Sequence, residues 1–236
     1  MEFRNSALHE LEALRDTFAL AGSVSIAPFL AGEAAIQLQR HIAQREDWLE
    51  IFKGTQQAYE MPASAFEALD EQQRRGLDQL VWEAARTGFQ YRYRSIRVSD
   101  KESDRKTCAD LLNKFALFMS SPEMVRFFRA LTGDERIEFA DAQATAYSAG
   151  HFLTSHDDDV DGKGRVAAYV YSLTEGWSPD WGGLLVFPDG DRVAGYVPAF
   201  NSLRIFSVPQ PHSVTFVPPF VAQTRYSITG WLRGKI

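Results

Sequence analysis

The chain has 236 residues, 45% of them hydrophobic and 24% charged, a balance that supports an ample globular core without disulfides or a structural metal. Asp and Glu number 31 against 25 Lys and Arg, a formal charge of −6 that argues against a nucleic-acid-coating surface. Cys108 is the single cysteine, which excludes an intrachain disulfide and a cysteine-built zinc cluster.

The opening residues Met1, Glu2, Phe3, Arg4, Asn5 and Ser6 run into His9-Glu10-Leu11-Glu12 without an apolar secretory core. No apolar run approaches bilayer-spanning length, so no membrane partner and a cytoplasmic location are expected. The first half reads as mainly helical. Leu8, Leu11, Leu14 and Phe18 recur at helical spacing, and the pattern stops near Gly22. Residues 24–29 read as a short strand containing Pro28, and Gly32 then opens a helix through Ile36, Leu38 and Ile42. Another helical pattern follows Met61-Pro62-Ala63-Ser64 through Phe66, Leu69, Leu77, Leu80, Val81 and Trp82 to Gly88. Residues 91–105 are dense in charge (Arg92, Arg94, Arg97, Asp100, Lys101, Glu102, Asp104, Arg105) and are expected as an exposed loop. Helices are expected over 107–119 and 122–131. The second starts with Ser121-Pro122-Glu123, a proline at the first helical position and an acid in the first turn.

From Arg136 the period shortens to two. Ile137, Phe139, Asp141, Gln143, Thr145 and Tyr147 alternate with Glu138, Ala140, Ala142, Ala144 and Ala146. The polar side is expected to line a hydrated pocket near Tyr147 and to face solvent near Asp141. Strands are expected over 166–173, 183–187, 203–208, 212–217 and 226–232, separated by Pro188-Asp189-Gly190-Asp191 and Pro218-Pro219. Such short strands with turn signals indicate a sandwich, barrel or jelly roll. No linker or repeat divides the chain. The expectation is one α+β domain over 1–236, with helical support over 1–135 and a β-rich core over 136–234.

The chemistry gathers at His156-Asp157-Asp158, with His212 and Arg225 behind it. Asp157, Asp159, Asp161 and Gly162 match the opening of an EF-hand loop, but its twelfth position is Ala168, not Glu, and strands flank it. On an extended segment His156 and Asp158 share one side. A second imidazole from His212 would complete two histidines and a carboxylate on one face of a metal, the facial triad of non-haem Fe(II) oxygenases. His212, Val214 and Phe216 share one strand face, as do Arg225, Ser227, Thr229 and Trp231. A hairpin across Pro218-Pro219 would aim His212 and Arg225 into one cavity. There the guanidinium offers two parallel donors to a carboxylate beside the Ser227 hydroxyl, a seat for a short dicarboxylic acid. Each piece alone has an ordinary reading: a polar turn, a surface histidine, one half of an ion pair. Their order and spacing favour a site. His9 and His41 are expected at the surface, His151 in a structural or rim role, Asp157 and Asp159 facing solvent, and Trp177 and Trp181 in core packing.

Further quotable residues are Tyr147 with Gly150, Trp181-Gly182-Gly183-Leu184, Pro198-Ala199-Phe200-Asn201-Ser202-Leu203, Phe206, His212-Ser213-Val214 and Arg225-Tyr226-Ser227-Ile228-Thr229-Gly230-Trp231-Leu232. With His156-Asp157-Asp158 they resemble the 2-oxoglutarate/Fe(II)-dependent dioxygenases of the prolyl-hydroxylase-like group, closest to the branch that includes ribosomal-protein prolyl hydroxylases. The resemblance implies a double-stranded β-helix, the jelly-roll or cupin-like core, over roughly 136–234. It implies Fe(II) on His156, Asp158 and His212, with Arg225 on the distal carboxylate of 2-oxoglutarate. Tyr147 would reach cosubstrate or substrate, and Ser227 is a further candidate. O2 is the other cosubstrate, with ascorbate as an accessory reductant. The implied reaction is hydroxylation, coupled to decarboxylation of 2-oxoglutarate to succinate, of a prolyl residue in a protein or peptide. The alternatives are the same chemistry on a free amino acid or small metabolite, and a non-catalytic cupin-like binding domain. One departure stands out: where the group often has a tyrosine on the distal carboxylate, this chain has Ser172, leaving Ser172 through water or Tyr147 to compensate. Loops at 91–105 and 175–180 are expected over the metal.

Overall fold

Leu11, Leu14 and Phe18 lay an apolar stripe along α1 (Leu11–Ala21), which ends where Gly22 turns to φ +65° and donates its N–H to the Phe18 carbonyl. The computed structural model describes residues 5, 7–54, 57–108 and 110–234. Residues 1–4 and 6, part of the opening read for a leader, lie outside the described residues, as does Ala109 within the helix expected over 107–119. After α1 come β1 (Ser23–Ile26), α2 (Ala34–Ala43), β2 (Leu49–Lys53), β3 (Ala58–Pro62), α3 (Ala63–Glu67), α4 (Glu71–Ala85), β4 (Tyr91–Arg97), α5 (Glu102–Thr107), α6 (Leu111–Met119) and α7 (Pro122–Thr132). The strands then run β5 (Ile137–Ala140), β6 (Gln143–Tyr147), β7 (Phe152–His156), β8 (Arg165–Ser172), β9 (Leu185–Asp189), β10 (Arg192–Tyr196), β11 (Ser202–Ser207), β12 (His212–Val214) and β13 (Arg225–Gly234).

Local capping decides where the helices break. Asp70 forms a capping box with Gln73, so the pattern expected as one helix divides into α3 and α4. The Asp110 side chain accepts from Asn113 N–H and starts α6, and Ser121 does the same for Met124 and α7.

The strands form one strongly curled, antiparallel sheet in the order β1-β11-β8-β13-β6-β4-β7-β12-β9-β10, with β2 and β3 beyond β4 and β5 beside β13. This is the α+β double-stranded β-helix. Its outer face is covered by helices. Ala140, Ala142, Ala144 and Ala146 pack there with Tyr169, Tyr171, Ile205 and Ile228 against Leu38, Ile42, Phe115, Met119 and Phe128. The small alanines let the helices approach closely, which is the use of the alternation seen in the sequence. The inner face carries Gln143, Thr145, Tyr147, Ala168, Val170, Phe206, Arg225, Ser227, Thr229 and Trp231, and encloses a cavity.

Three expectations need correction. Residues 91–97 are not a loop but the strand β4, paired with β2, β6 and β7. Its arginines find acids elsewhere in the chain: Arg92 and Arg94 bond Glu50, and Arg97 bonds Glu60. Asp141 does not face solvent. Its carboxylate, 13% exposed, accepts the Trp231 backbone N–H at 2.6 Å, and burial pushes its pKa up to about 6. β12 and β13 form no hairpin; β12 pairs with β7 and β9, and β13 with β5, β6 and β8. His212 and Arg225 therefore reach the cavity from opposite walls. Among the described residues, no helix is long and apolar enough to cross a membrane.

Candidate functional site

β7 ends on His156 and β12 begins on His212, and the antiparallel register sets these two residues opposite each other. The imidazole centroids are 4.2 Å apart. Asp158 joins them by a different route from the strand parity expected. It lies past the end of β7 with φ +65°, a left-handed conformation that Asp tolerates better than most residues. This turn swings its carboxylate between the rings: Oδ1 lies 3.4 Å from His156 Nε2 and Oδ2 3.4 Å from His212 Nε2. Asp157 and Asp159 are exposed, as the sequence indicated.

Hydrogen bonding fixes which ring nitrogens point inward. His156 Nδ1 is 3.1 Å from the Thr154 carbonyl, and His212 Nδ1 is 2.8 Å from the Gln210 carbonyl. A carbonyl can only accept, so both Nδ1 atoms carry a proton and Nε2 is the ring nitrogen each histidine offers to a metal. Burial alone would raise the Asp158 pKa, but the neighbouring imidazoles hold it below the ordinary carboxylate value. Burial, then the neighbouring His156, lowers the pKa of His212, which favours its neutral form. Two imidazoles with Nε2 facing inward and one carboxylate are a donor set that Fe(II) takes, and facial ligands on bonds of about 2.1 Å stand about 3 Å apart. Among the described residues, no other trio of His, Cys, Asp and Glu side chains gathers in this way.

Arg225 stands at the buried end of the same cavity. Its Nη1 donates to the Gly183 carbonyl at 2.7 Å, while its Nε is buried with no partner in the protein. Burial lowers its pKa, and the nearest aromatic face is Tyr147, whose ring centroid is 5.2 Å from the guanidinium carbon. A buried cation with an unspent donor fits an anionic ligand, and an organic carboxylate supplies the acceptors it lacks. Ser227 follows on the same face and accepts from the Thr145 hydroxyl at 3.3 Å. Ser172 lies directly opposite Ser227 in the β8–β13 pair; its hydroxyl is buried without a protein partner, though the residue does not line the cavity. Tyr147 is buried and stacked on Tyr93 at 5.5 Å, and burial raises its pKa far above the ordinary phenol value.

The cavity measures about 470 Å³ and brings together His156, Asp158, His212, Tyr147, Arg225 and Ser227. One wall was missed in the sequence. Phe89, Tyr91 and Tyr93 line the cavity from β4 and its approach, with neighbouring ring centroids 5.5 and 5.7 Å apart. The alternation Phe89-x-Tyr91-x-Tyr93 was the available signal, overridden by the charges between. Arg165 and Trp231 also line the cavity. The segment 175–180, expected over the metal, contributes no lining residue; Trp177 instead packs with Tyr147 and Val217, and Trp181 against it. His151 is buried on Glu50, the structural role expected of it, while His9 is exposed and His41 half-buried.

Residues 142–233 match the family model of the 2OG-Fe(II) oxygenase superfamily. No curated protein matches the sequence. Among solved structures, a prolyl-4-hydroxylase from Pseudomonas putida aligns over 96% of this chain and 100% of its own, at 20% identity and a TM-score of 0.63. A Trichoplax adhaerens prolyl hydroxylase, in complex with a hypoxia inducible factor peptide fragment, aligns over 96% and 90%, at 16% identity and TM-score 0.64. A non-heme alpha-ketoglutarate-dependent epimerase from nogalamycin biosynthesis aligns over 94% and 81%, at 13% identity and TM-score 0.57. Identities this low carry the fold and leave the reaction open.

Proposed function

With residues 142–233 those of a 2OG-Fe(II) oxygenase, we propose that this enzyme hydroxylates a prolyl residue of a protein or peptide and converts 2-oxoglutarate to succinate by decarboxylation. In this reading His156, Asp158 and His212 hold Fe(II), and Arg225 takes the distal carboxylate of 2-oxoglutarate. Ser227 lies beside that carboxylate, and either Ser172 through water or Tyr147, which lines the cavity, takes the place of the tyrosine the group often has there. Residues 1–236 act as one domain, with the first half bracing the sheet. A cytoplasmic site of action fits a chain with a single cysteine.

The observation that carries the reading is unspent valence at both ends of one cavity. At one end two imidazole Nε2 atoms and a carboxylate converge; at the other a buried guanidinium keeps a free donor. When bound, Fe(II) and 2-oxoglutarate supply the O2 activation needed to place a hydroxyl on an unactivated carbon. The protein contributes geometry and dryness. The Thr154 and Gln210 carbonyls hold both imidazoles in the metal-binding tautomer, and Asp158 stays anionic. Arg225 orients the keto acid from the buried end of the cavity, while Tyr93, Tyr147, Leu153, Val214 and Trp231 line the space that the target carbon enters.

The prolyl assignment draws on the named functions of two similar structures, one of which holds a peptide. Mass spectrometry of proline-containing peptides, incubated with Fe(II), 2-oxoglutarate and O2, should show gain of one oxygen on proline with matching succinate. Oxidation of free amino acids with all peptides untouched would transfer the assignment to small molecules. Succinate release with neither class oxidised would remove it.

A further inference from the structure

The cavity wall carries a cation that the iron and keto-acid reading leaves unused: Arg165, the first residue of β8. We infer that Arg165, braced on Trp231, is a positioning residue that holds Asp158 in place for the metal; this rests on the reading of the triad as a divalent-cation site.

Asp158 is the one member of the triad that no strand places. His156 and His212 are fixed by paired strands and by carbonyls on their Nδ1 atoms. Asp158 instead sits in a turn with a left-handed backbone, which a non-glycine residue keeps only where its surroundings impose it. Arg165 supplies that constraint. Its Nη1 donates to the Asp158 carbonyl at 2.9 Å and lies 3.9 Å from Asp158 Oδ1. The first contact pins the backbone; the second, too long for a hydrogen bond, places positive charge beside the carboxylate.

The guanidinium is itself held. Its carbon lies 3.6 Å from the centroid of the Trp231 ring, a cation–π contact. Trp231 is anchored through its backbone N–H to Asp141 Oδ1. The far side of the turn is locked as well. Gly164, at φ +60°, accepts the Gly234 N–H at 2.8 Å, and a Cβ at Gly164 would fall 2.7 Å from the Gly234 carbonyl oxygen. The Trp231 indole N–H is buried without a hydrogen-bond partner in the protein. Turn, arginine and tryptophan thus form a clamp on one ligand.

Groups that orient a metal ligand typically contribute a factor of about 10–100 in metal affinity. The test titrates Mn(II) into the full chain, reading free Mn(II) by electron paramagnetic resonance, for the parent, Arg165→Gln, Arg165→Lys and Trp231→Phe. His156→Ala serves as the non-binding reference, and every variant is also melted in EDTA. Arg165→Gln should weaken Mn(II) binding about 10–100-fold with an unchanged EDTA melt. Arg165→Lys should recover part of the loss, because it keeps the charge without the planar fork. Trp231→Phe, which keeps a ring under the guanidinium, should cost less than Arg165→Gln. Parent-like affinity in Arg165→Gln would overturn this inference alone. A loss matched by an equal drop in the EDTA melt would also overturn it, by reducing Arg165 to a folding role. Absence of Mn(II) binding in the parent would overturn this inference together with the metal site.

Discussion

Among the described residues, the buried charges around Glu50 and those of the cavity differ in how completely they are satisfied. Around Glu50, whose side chain is 0% exposed, Arg92 Nε donates at 2.8 Å, Arg94 Nε at 3.0 Å and His151 Nε2 at 3.0 Å. His151 Nδ1 accepts the Ser148 N–H, Arg92 also reaches Asp78, and Arg94 reaches Glu67. Donors meet acceptors throughout. In the cavity, by contrast, the Nε2 atoms of two histidines converge on Asp158, and Arg225 Nε has no partner in the protein. The lesson is that burial and charge mark both clusters, and only leftover valence separates the one that takes a ligand from the one that holds the fold.

Substitutions should separate the clusters cleanly. The largest effect is expected from His156→Ala, which removes one of three ligands and should take Mn(II) binding below detection in a titration while the metal-free melt stays at the parent value. Arg225→Met comes next. It should cost about 2–5 kcal/mol in 2-oxoglutarate affinity, read by calorimetry on the Mn(II) form, with Mn(II) binding retained. Equal loss of Mn(II) and keto acid would blur the distinction between the two ends of the cavity.

Glu50→Ala should behave in the opposite way. It removes the acceptor shared by buried Arg92, half-buried Arg94 and buried His151 and should cost about 3–5 kcal/mol in urea unfolding, with Mn(II) affinity of the folded protein unchanged. Despite the cost of burial, the hydrogen bonds of His151 and Arg92 and the charge of Arg92 hold the Glu50 pKa down to about 2. A depressed carboxylate pKa stabilises the fold above its unfolded value near 4.5, and that contribution is lost as pH falls toward 2. Parent stability should therefore drop across this acid window, and Glu50→Ala should show a shallower drop. The smallest effect belongs to Ser172→Ala. Its hydroxyl has no protein partner, so stability should hold and 2-oxoglutarate affinity should fall by at most about 1 kcal/mol.

The sequence disclosed the chemistry more readily than the architecture. His156, Asp158, His212 and Arg225 could be named because few residue types do this work and their order along the chain is distinctive. The strand period over 137–147 was equally plain, down to the alanines that admit the helices. β4 was hidden because Arg92, Arg94 and Arg97 suggest exposure, and their partners Glu50 and Glu60 lie in strands far earlier in the chain. The convergence on Asp158 was anticipated for the wrong local reason: strand alternation was expected, whereas a left-handed turn does the work. The joint placement of His212 and Arg225 likewise depends on the curl of the sheet, a long-range property that no short stretch encodes.

The most direct measurement is an anaerobic titration of the Fe(II)-loaded chain with 2-oxoglutarate, followed in the visible spectrum. A saturable charge-transfer absorption that is absent in His212→Ala, and shifted to much higher 2-oxoglutarate concentration in Arg225→Met, is the predicted result. A spectrum indifferent to 2-oxoglutarate in the parent chain would contradict the assignment of the cavity.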